Sequence, residues 1–124
     1  TTHGALTSFR AASISRPRGI AAGPDGALWF TSWGNASIGR ISTGGAVTSF
    51  RDARLVSPGA IVAGPDGALW FTDREGNAIG RITTGGRVTV FRASSIDGPD
   101  AIAAVQIERT AEGFAANFSM EAAR

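Results

Sequence analysis

The chain has 124 residues, 43% of them hydrophobic, with a formal net charge of +2 and no cysteine. This length limits it to one domain, and the apolar fraction is too high for a disordered chain. The composition excludes disulfides and thiolate metal sites, and no apolar run approaches the roughly 18 residues of a membrane-spanning helix.

The arrangement of the basic residues does not indicate a surface that binds a negatively charged partner. All twelve are arginine, and they recur in register, as Arg10, Arg51 and Arg92 do after equivalent apolar stretches. A periodic arginine is more typical of a repeat than of a nucleic-acid-binding patch. We therefore expect neither a nucleic-acid nor a membrane partner. The first residues lack a charged and then apolar segment, so we expect no signal peptide and slightly favour a cytoplasmic location.

The sequence repeats itself. The nine residues of 23–31, Gly-Pro-Asp-Gly-Ala-Leu-Trp-Phe-Thr, return unchanged as residues 64–72, which is a period of 41 residues. Ile-Gly-Arg-Ile at 38–41 returns at 79–82 with the same period. A period of about 40 to 45 residues with several short strands per unit is typical of a propeller blade.

Each repeat predicts four strands joined by short turns. In the second unit the Gly-Pro-Asp-Gly sequence supplies a tight turn, because Pro fixes φ and the last Gly accepts a positive φ. The next segment is apolar on both faces, as expected of a strand between two neighbouring sheets. The predicted strands are residues 58–63, 68–72, 78–83 and 87–92. Four such antiparallel strands make one blade, so we predict an all-β fold of propeller blades in an incomplete ring.

The chain begins and ends away from a unit boundary. We predict a lone fourth strand over 4–10 with its connector to residue 16, blades over 17–57 and 58–98, and a partial or degenerate third blade over 99–124. The segment 105–124 departs from the repeat. Its apolar residues fit a degenerate hairpin that completes the third blade, which we favour, but also a helix or a segment with no settled structure.

The strings Gly-Pro-Asp-Gly-Ala-Leu-Trp-Phe-Thr, Ile-Gly-Arg-Ile-Thr-Thr-Gly-Gly and Val-Thr-Val-Phe resemble blades of the streptogramin B lyases, the virginiamycin B lyase family. The resemblance covers about residues 4–104 and is specific as a blade signature. It implies a seven-bladed ring and an enzyme that opens a cyclic depsipeptide by elimination. It also implies Mg²⁺ and a few His and Glu residues at the centre of one face.

The resemblance places the working residues directly after the interblade proline and directly after Trp-Phe-Thr. In a propeller these positions converge at one end of the central channel, because the first strand leaves that end and the second returns to it. No histidine stands at any of them. The residues there are Arg18, Gly59 and Asp100 after the prolines, and Ser32 and Asp73 after the threonines.

Two carboxylates at this end are candidates for a metal. Asp73 and Asp100 could hold Mg²⁺, which takes one or two carboxylates plus waters. An elimination would then also need a base for the proton α to a carbonyl. His3, the only imidazole, falls in a turn, where we expect an exposed rather than a catalytic residue.

Trp33 breaks the repeat, since its counterpart in the next unit is Arg74. It could stack on a ring or a sugar beside Arg18, although packing within its loop is favoured. The full set of candidate ligand-binding residues is Arg18, Ser32, Trp33, Asp73, Arg74 and Asp100.

The number of blades predicts a partner. Propellers close with about four to eight blades, and an open arc of at most three leaves apolar faces exposed at both ends. Either copies assemble, two of them giving a six-bladed ring, or the chain is a piece of a longer propeller. We predict a homo-oligomer.

Two functions remain open at this point. One is a non-catalytic repeat module without a cofactor, whose central face binds a small-molecule ligand or a protein. The other is a Mg²⁺-dependent lyase of the streptogramin type. The missing histidines favour the first.

Overall fold

A computed structural model of the protein describes residues 4–106 and 118–123. The chain forms two four-stranded antiparallel sheets and one two-stranded sheet, each with its strands in sequence order. The all-β propeller architecture predicted from the repeat is confirmed. The strands are β1 Pro17–Ala22, β2 Leu28–Ser32, β3 Ser37–Ile41, β4 Val47–Arg51, β5 Pro58–Ala63, β6 Leu69–Asp73, β7 Ala78–Ile82, β8 Val88–Arg92, β9 Ala101–Gln106 and β10 Phe118–Ala123. We call β1–β4 blade 1 and β5–β8 blade 2.

An aspartate fixes the turn between the first two strands of each blade. Gly26 adopts φ 82°, and the Asp25 carboxylate accepts hydrogen bonds from the Ala27 N–H and the Trp29 indole N–H. Arg40 adds an ion pair at 2.7 Å. Burial opposes ionisation, but these hydrogen bonds outweigh it and lower the pKa of Asp25 to about 2. Asp66 is held in the same way in blade 2, where its carboxylate accepts hydrogen bonds from Trp70 and Arg81.

The two blades share one apolar core. The back face of blade 1 carries Trp29 and Ile38, both fully buried, and packs on the front face of blade 2. That front face presents Ile61, Leu69 and Ile82, which are buried in turn. Because each sheet covers one face of its neighbour, the core lies between the blades rather than within either of them.

Equivalent residues of the two blades differ in exposure. Ile61 is 6% exposed and Leu69 0%, whereas their counterparts on the front face of blade 1, Ile20 and Leu28, are 63% and 44% exposed. The sequence of the two faces is the same at these positions, so the difference comes only from the presence of a neighbouring blade. The front face of blade 1 is therefore built as an interblade surface.

The strand predicted for residues 4–10 is wrong, since no strand forms there. Even so, the ring of Phe9 covers Gly45 as the ring of Phe50 covers Gly86, one repeat later. The segment thus lies where the fourth strand of a preceding blade would lie. It lacks a third strand to pair with, and a strand is assigned only where backbone hydrogen bonds join it to a neighbour.

The last part of the chain contains the hairpin pairing that we favoured. β10 pairs antiparallel with β9, from Phe118 opposite Gln106 to Ala123 opposite Ala101. The helical alternative is therefore wrong for residues 118–123. The intervening residues 107–117, and His3 at the other end, lie outside the described residues. Within the described part of the chain, no helix has the length and hydropathy to cross a membrane.

Ser49 gives a test of the repeat. Its hydroxyl is buried and has no hydrogen-bond partner in the described part of the chain, and the equivalent residue of blade 2 is Val90. We expect Ser49→Val to raise the free energy of unfolding by about 1 kcal/mol, because an unpaired buried hydroxyl is removed. Val90→Ser, the reverse change, lowers it by about 1–2 kcal/mol. Urea unfolding measures both, and a loss of stability in Ser49→Val would contradict the prediction.

Candidate functional site

The end of the blades where strand one begins is shaped by a bulge. In blade 1 the pairing of β1 with β2 shifts register between Pro17 and Ile20, and in blade 2 the same shift lies between Pro58 and Ile61. Each bulge contains the residue that follows the interblade proline. A bulge redirects side chains and is common beside functional sites.

A threonine joins the two bulges. The Thr31 hydroxyl accepts a hydrogen bond from the Gly19 N–H at 3.0 Å and donates one to the Gly59 carbonyl of blade 2 at 2.7 Å. A Cβ at Gly19 would lie 2.6 Å from that carbonyl oxygen, so no side chain fits where the two first strands approach. The backbone at this end is therefore tied across the blades, which fixes the residues on either side of it.

The three residues after the prolines line one open cavity of about 340 Å³. Arg18, Gly59 and Asp100 come from three successive repeats, and the structure brings them together as the sequence predicted. Gly19, Ala60, Ile20 and Ile61 complete its lining. The cavity is thus lined by one basic and one acidic residue together with small and aliphatic residues.

The two residues that follow the threonines make hydrogen bonds to the main chain of their own protein. Ser32 and Asp73 are both fully buried. The Ser32 hydroxyl accepts from the Ser15 N–H at 2.8 Å, and the Asp73 carboxylate accepts from the N–H groups of Val56 and Ser57 at 3.1 and 2.6 Å. These side chains anchor the loop before each blade, so neither is free to contact a ligand in the cavity.

Trp33 lies at the same end and is held from two directions. It begins a one-turn 3₁₀ helix, Trp33–Asn35, and its indole N–H donates to the Ser57 hydroxyl at 2.6 Å. The guanidiniums of Arg16 and Arg18 lie 5.5 and 6.0 Å from the centre of its ring. The structure thus contains both features that the sequence suggested for Trp33, namely packing within its loop and proximity to Arg18.

Arg74, the repeat counterpart of Trp33, is exposed. Its main-chain N–H donates a hydrogen bond to the Ser57 carbonyl at 3.2 Å. Sequence reasoning missed Arg16 and Ser57. These two residues occupy equivalent positions of the two repeats. The difference between the repeats at this position was the sequence signal that could have identified them. Arg16 also has φ 52°, a left-handed conformation that is uncommon for a residue other than glycine.

The carboxylates fit Mg²⁺ poorly. Asp73 is fully buried and both of its oxygens accept main-chain N–H groups, so Asp100 is the only one of the two candidates with a free carboxylate in the cavity. Among the described residues, no three His, Cys, Asp or Glu side chains form a cluster that could hold a metal ion. We derive no step through a metal here.

Both the sequence and the fold of this chain are similar to those of known proteins. Residues 1–109 match the profile of the virginiamycin B lyase family. The chain belongs to that family. Virginiamycin B lyase of Staphylococcus aureus is 40% identical, with a TM-score of 0.77 over 82% of this chain. That relative has also been solved as a catalytically inactive histidine-to-alanine variant with quinupristin, at the same identity and TM-score.

The chain corresponds to only part of the length of each of these relatives. A second streptogramin B lyase structure is 38% identical with a TM-score of 0.78, and the chain spans 36% of the length of each of these lyases. A chain of a nidogen/laminin complex is 25% identical with a TM-score of 0.66, over 77% of this chain and 38% of its own. No curated protein sequence matches. The structures similar to this chain therefore include propellers other than lyases.

The buried Asp73 gives a prediction for this end of the blades. We expect Asp73→Ala to lower the free energy of unfolding by about 2–3 kcal/mol, because two main-chain N–H groups lose their acceptor in a buried site. Asp73→Ser is the matched control, since Ser32 anchors the equivalent loop, and costs about half as much. Chemical unfolding of the two variants measures this. Equal stability of Asp73→Ala and the parent would show that the carboxylate is not an anchor.

Proposed function

We propose that this protein is a non-catalytic propeller repeat module that assembles with further copies of itself into a closed ring, and that the central end of the ring binds a ligand. The observation that carries the assembly is the exposure of Ile20 and Leu28 on blade 1, against the burial of Ile61 and Leu69 on blade 2. An apolar surface of this kind, left open to water, marks an interaction site.

The neighbour that fits this surface is another blade of the same type. In the chain itself, the matching face of blade 2 is covered by Trp29 and Ile38 from the back of blade 1. Of the corresponding residues on the back of blade 2, Ile79 is buried and Trp70 is half-buried, while Phe91, the counterpart of Phe50, is 43% exposed. A contact between the back of one copy and the front of the next is heterologous, and such contacts close into rings when the rotation allows it.

The N-terminal segment supports the same arrangement. An apolar cavity of about 290 Å³ lies on the front of blade 1, between Phe9 and Ile14 of this segment and Ile20, Phe30 and Ile41 of the sheet. It is the space that the inner strands of a preceding blade would fill. Strands from the incomplete last repeat of another copy would fill it and pair with residues 4–10.

The non-catalytic part of the proposal rests on the chemistry of the channel end. Its exposed titratable residues in the cavity are Arg18 and Asp100, and no imidazole is present in residues 4–106. An elimination needs a base for the α proton and an acid or metal for the leaving oxygen. Family membership favours a lyase as the second candidate, and the histidine-to-alanine variant of the Staphylococcus aureus enzyme is inactive.

The first test is the mass of the protein in solution. We expect light scattering to give a multiple of the chain mass, two copies supplying six blades. Leu28→Asp places a charge on the front face of blade 1 and is expected to yield monomer. Thr84→Asp is the control, because Thr84 is exposed in the turn between β7 and β8 and lies outside the front of blade 1. A well-folded monomer of the parent protein would refute the assembly.

The second test separates the module from the lyase. The protein is incubated with quinupristin and Mg²⁺, with and without EDTA, and the antibiotic is followed by mass spectrometry. We expect an unchanged antibiotic in both samples, because the cavity offers no imidazole. Ring opening that EDTA abolishes would instead establish the lyase activity and overturn the non-catalytic role.

A further inference from the structure

We propose that the cavity lined by Arg18 and Asp100 binds a small zwitterion, a molecule such as a free amino acid or a short peptide that carries one carboxylate and one ammonium group. This inference rests on the proposed ligand-binding role of the central end and names the class of ligand. The observation behind it is that Arg18 and Asp100 line one cavity of about 340 Å³ and form no ion pair with each other.

Arg18 supplies the positive side. It makes no ion pair with another described residue, and its guanidinium lies against the ring of Trp33. Trp33 is itself fixed by its hydrogen bond to Ser57. A guanidinium that is oriented by an aromatic ring loses little freedom on binding, and its planar donors match a carboxylate in two parallel hydrogen bonds.

Asp100 supplies the negative side. It is exposed, follows the buried Pro99, and takes part in no ion pair within residues 4–106. Three ion pairs are observed among the described residues, and they join Asp25, Asp52 and Asp66 to arginines. A carboxylate left open in this way accepts a charge-assisted hydrogen bond from an ammonium group.

The rest of the lining carries no charge. It consists of the small residues Gly19, Gly59 and Ala60 and of Ile20 and Ile61, and the Thr31 hydroxyl ties the strands that carry Gly19 and Gly59. The volume lies at the lower end of the range of ligand cavities, about 300–1,000 Å³. A ligand with both charges satisfies both sides of the cavity, whereas an anion or a cation alone leaves one of them unpaired.

The experiment is an NMR titration of the ¹⁵N-labelled chain. The probes are glycine, β-alanine, 4-aminobutyrate and 6-aminohexanoate, which carry the two charges at increasing separation. Butyrate and butylamine carry one charge each. The three tryptophans give three indole N–H signals, and Trp33 is the reporter beside Arg18. We expect at least one zwitterion to bind saturably, about tenfold more tightly than either single-charge probe.

Variants assign the two charges. Arg18→Gln and Asp100→Asn are each expected to weaken that zwitterion by about tenfold or more. Arg87→Gln and Glu75→Gln remove the same charges at exposed positions outside the cavity and leave binding unchanged. Equal binding of butyrate or butylamine, no saturable binding of any zwitterion, or binding that survives either cavity variant would overturn the inference.

The light-scattering mass of the same samples separates this inference from the assembly. A ring that binds no zwitterion refutes the ligand class and leaves the assembly standing. A monomer that binds one refutes the assembly and leaves the site standing.

Discussion

A four-stranded antiparallel sheet has two faces, and in this chain both are apolar, so neither can be covered from within the sheet. The stabilising contact is therefore the one between sheets. Trp29 and Ile38 on the back of blade 1 lie on Ile61 and Leu69 at the front of blade 2, and these side chains are withdrawn from water together. The same constraint leaves the front of blade 1 open, which is the physical basis for the proposed assembly.

The position of the candidate site follows from the same packing. The first strands of the two blades come together where Gly19 meets the Gly59 carbonyl, and Thr31 bridges them. Because the backbone is fixed there, the residues that follow the prolines are presented at one end of the channel. Arg18 and Asp100 thus share a cavity although they are separated by two repeats of sequence.

Some positions are identical in the two repeats and others differ. Asp25 and Asp66 are identical in both units and make the same hydrogen bonds to a tryptophan and an arginine. Ser32 and Asp73 differ, yet both anchor the preceding loop, so a change of residue there preserved the role. Arg18 also differs from its counterpart Gly59, and its side chain is exposed and lines the cavity.

The sequence by itself determined the blades, because a 41-residue period, the Gly-Pro-Asp-Gly turns and the apolar strands are local signals. It also predicted that the residues after the prolines converge. Only the tertiary structure decided which side chains are available to a ligand, since the Asp73 carboxylate already accepts hydrogen bonds from main-chain N–H groups. It also decided that residues 4–10, which have no neighbouring strand to pair with, form no strand. Burial and strand pairing depend on neighbours distant in sequence, and a local pattern carries no record of whether those neighbours are present.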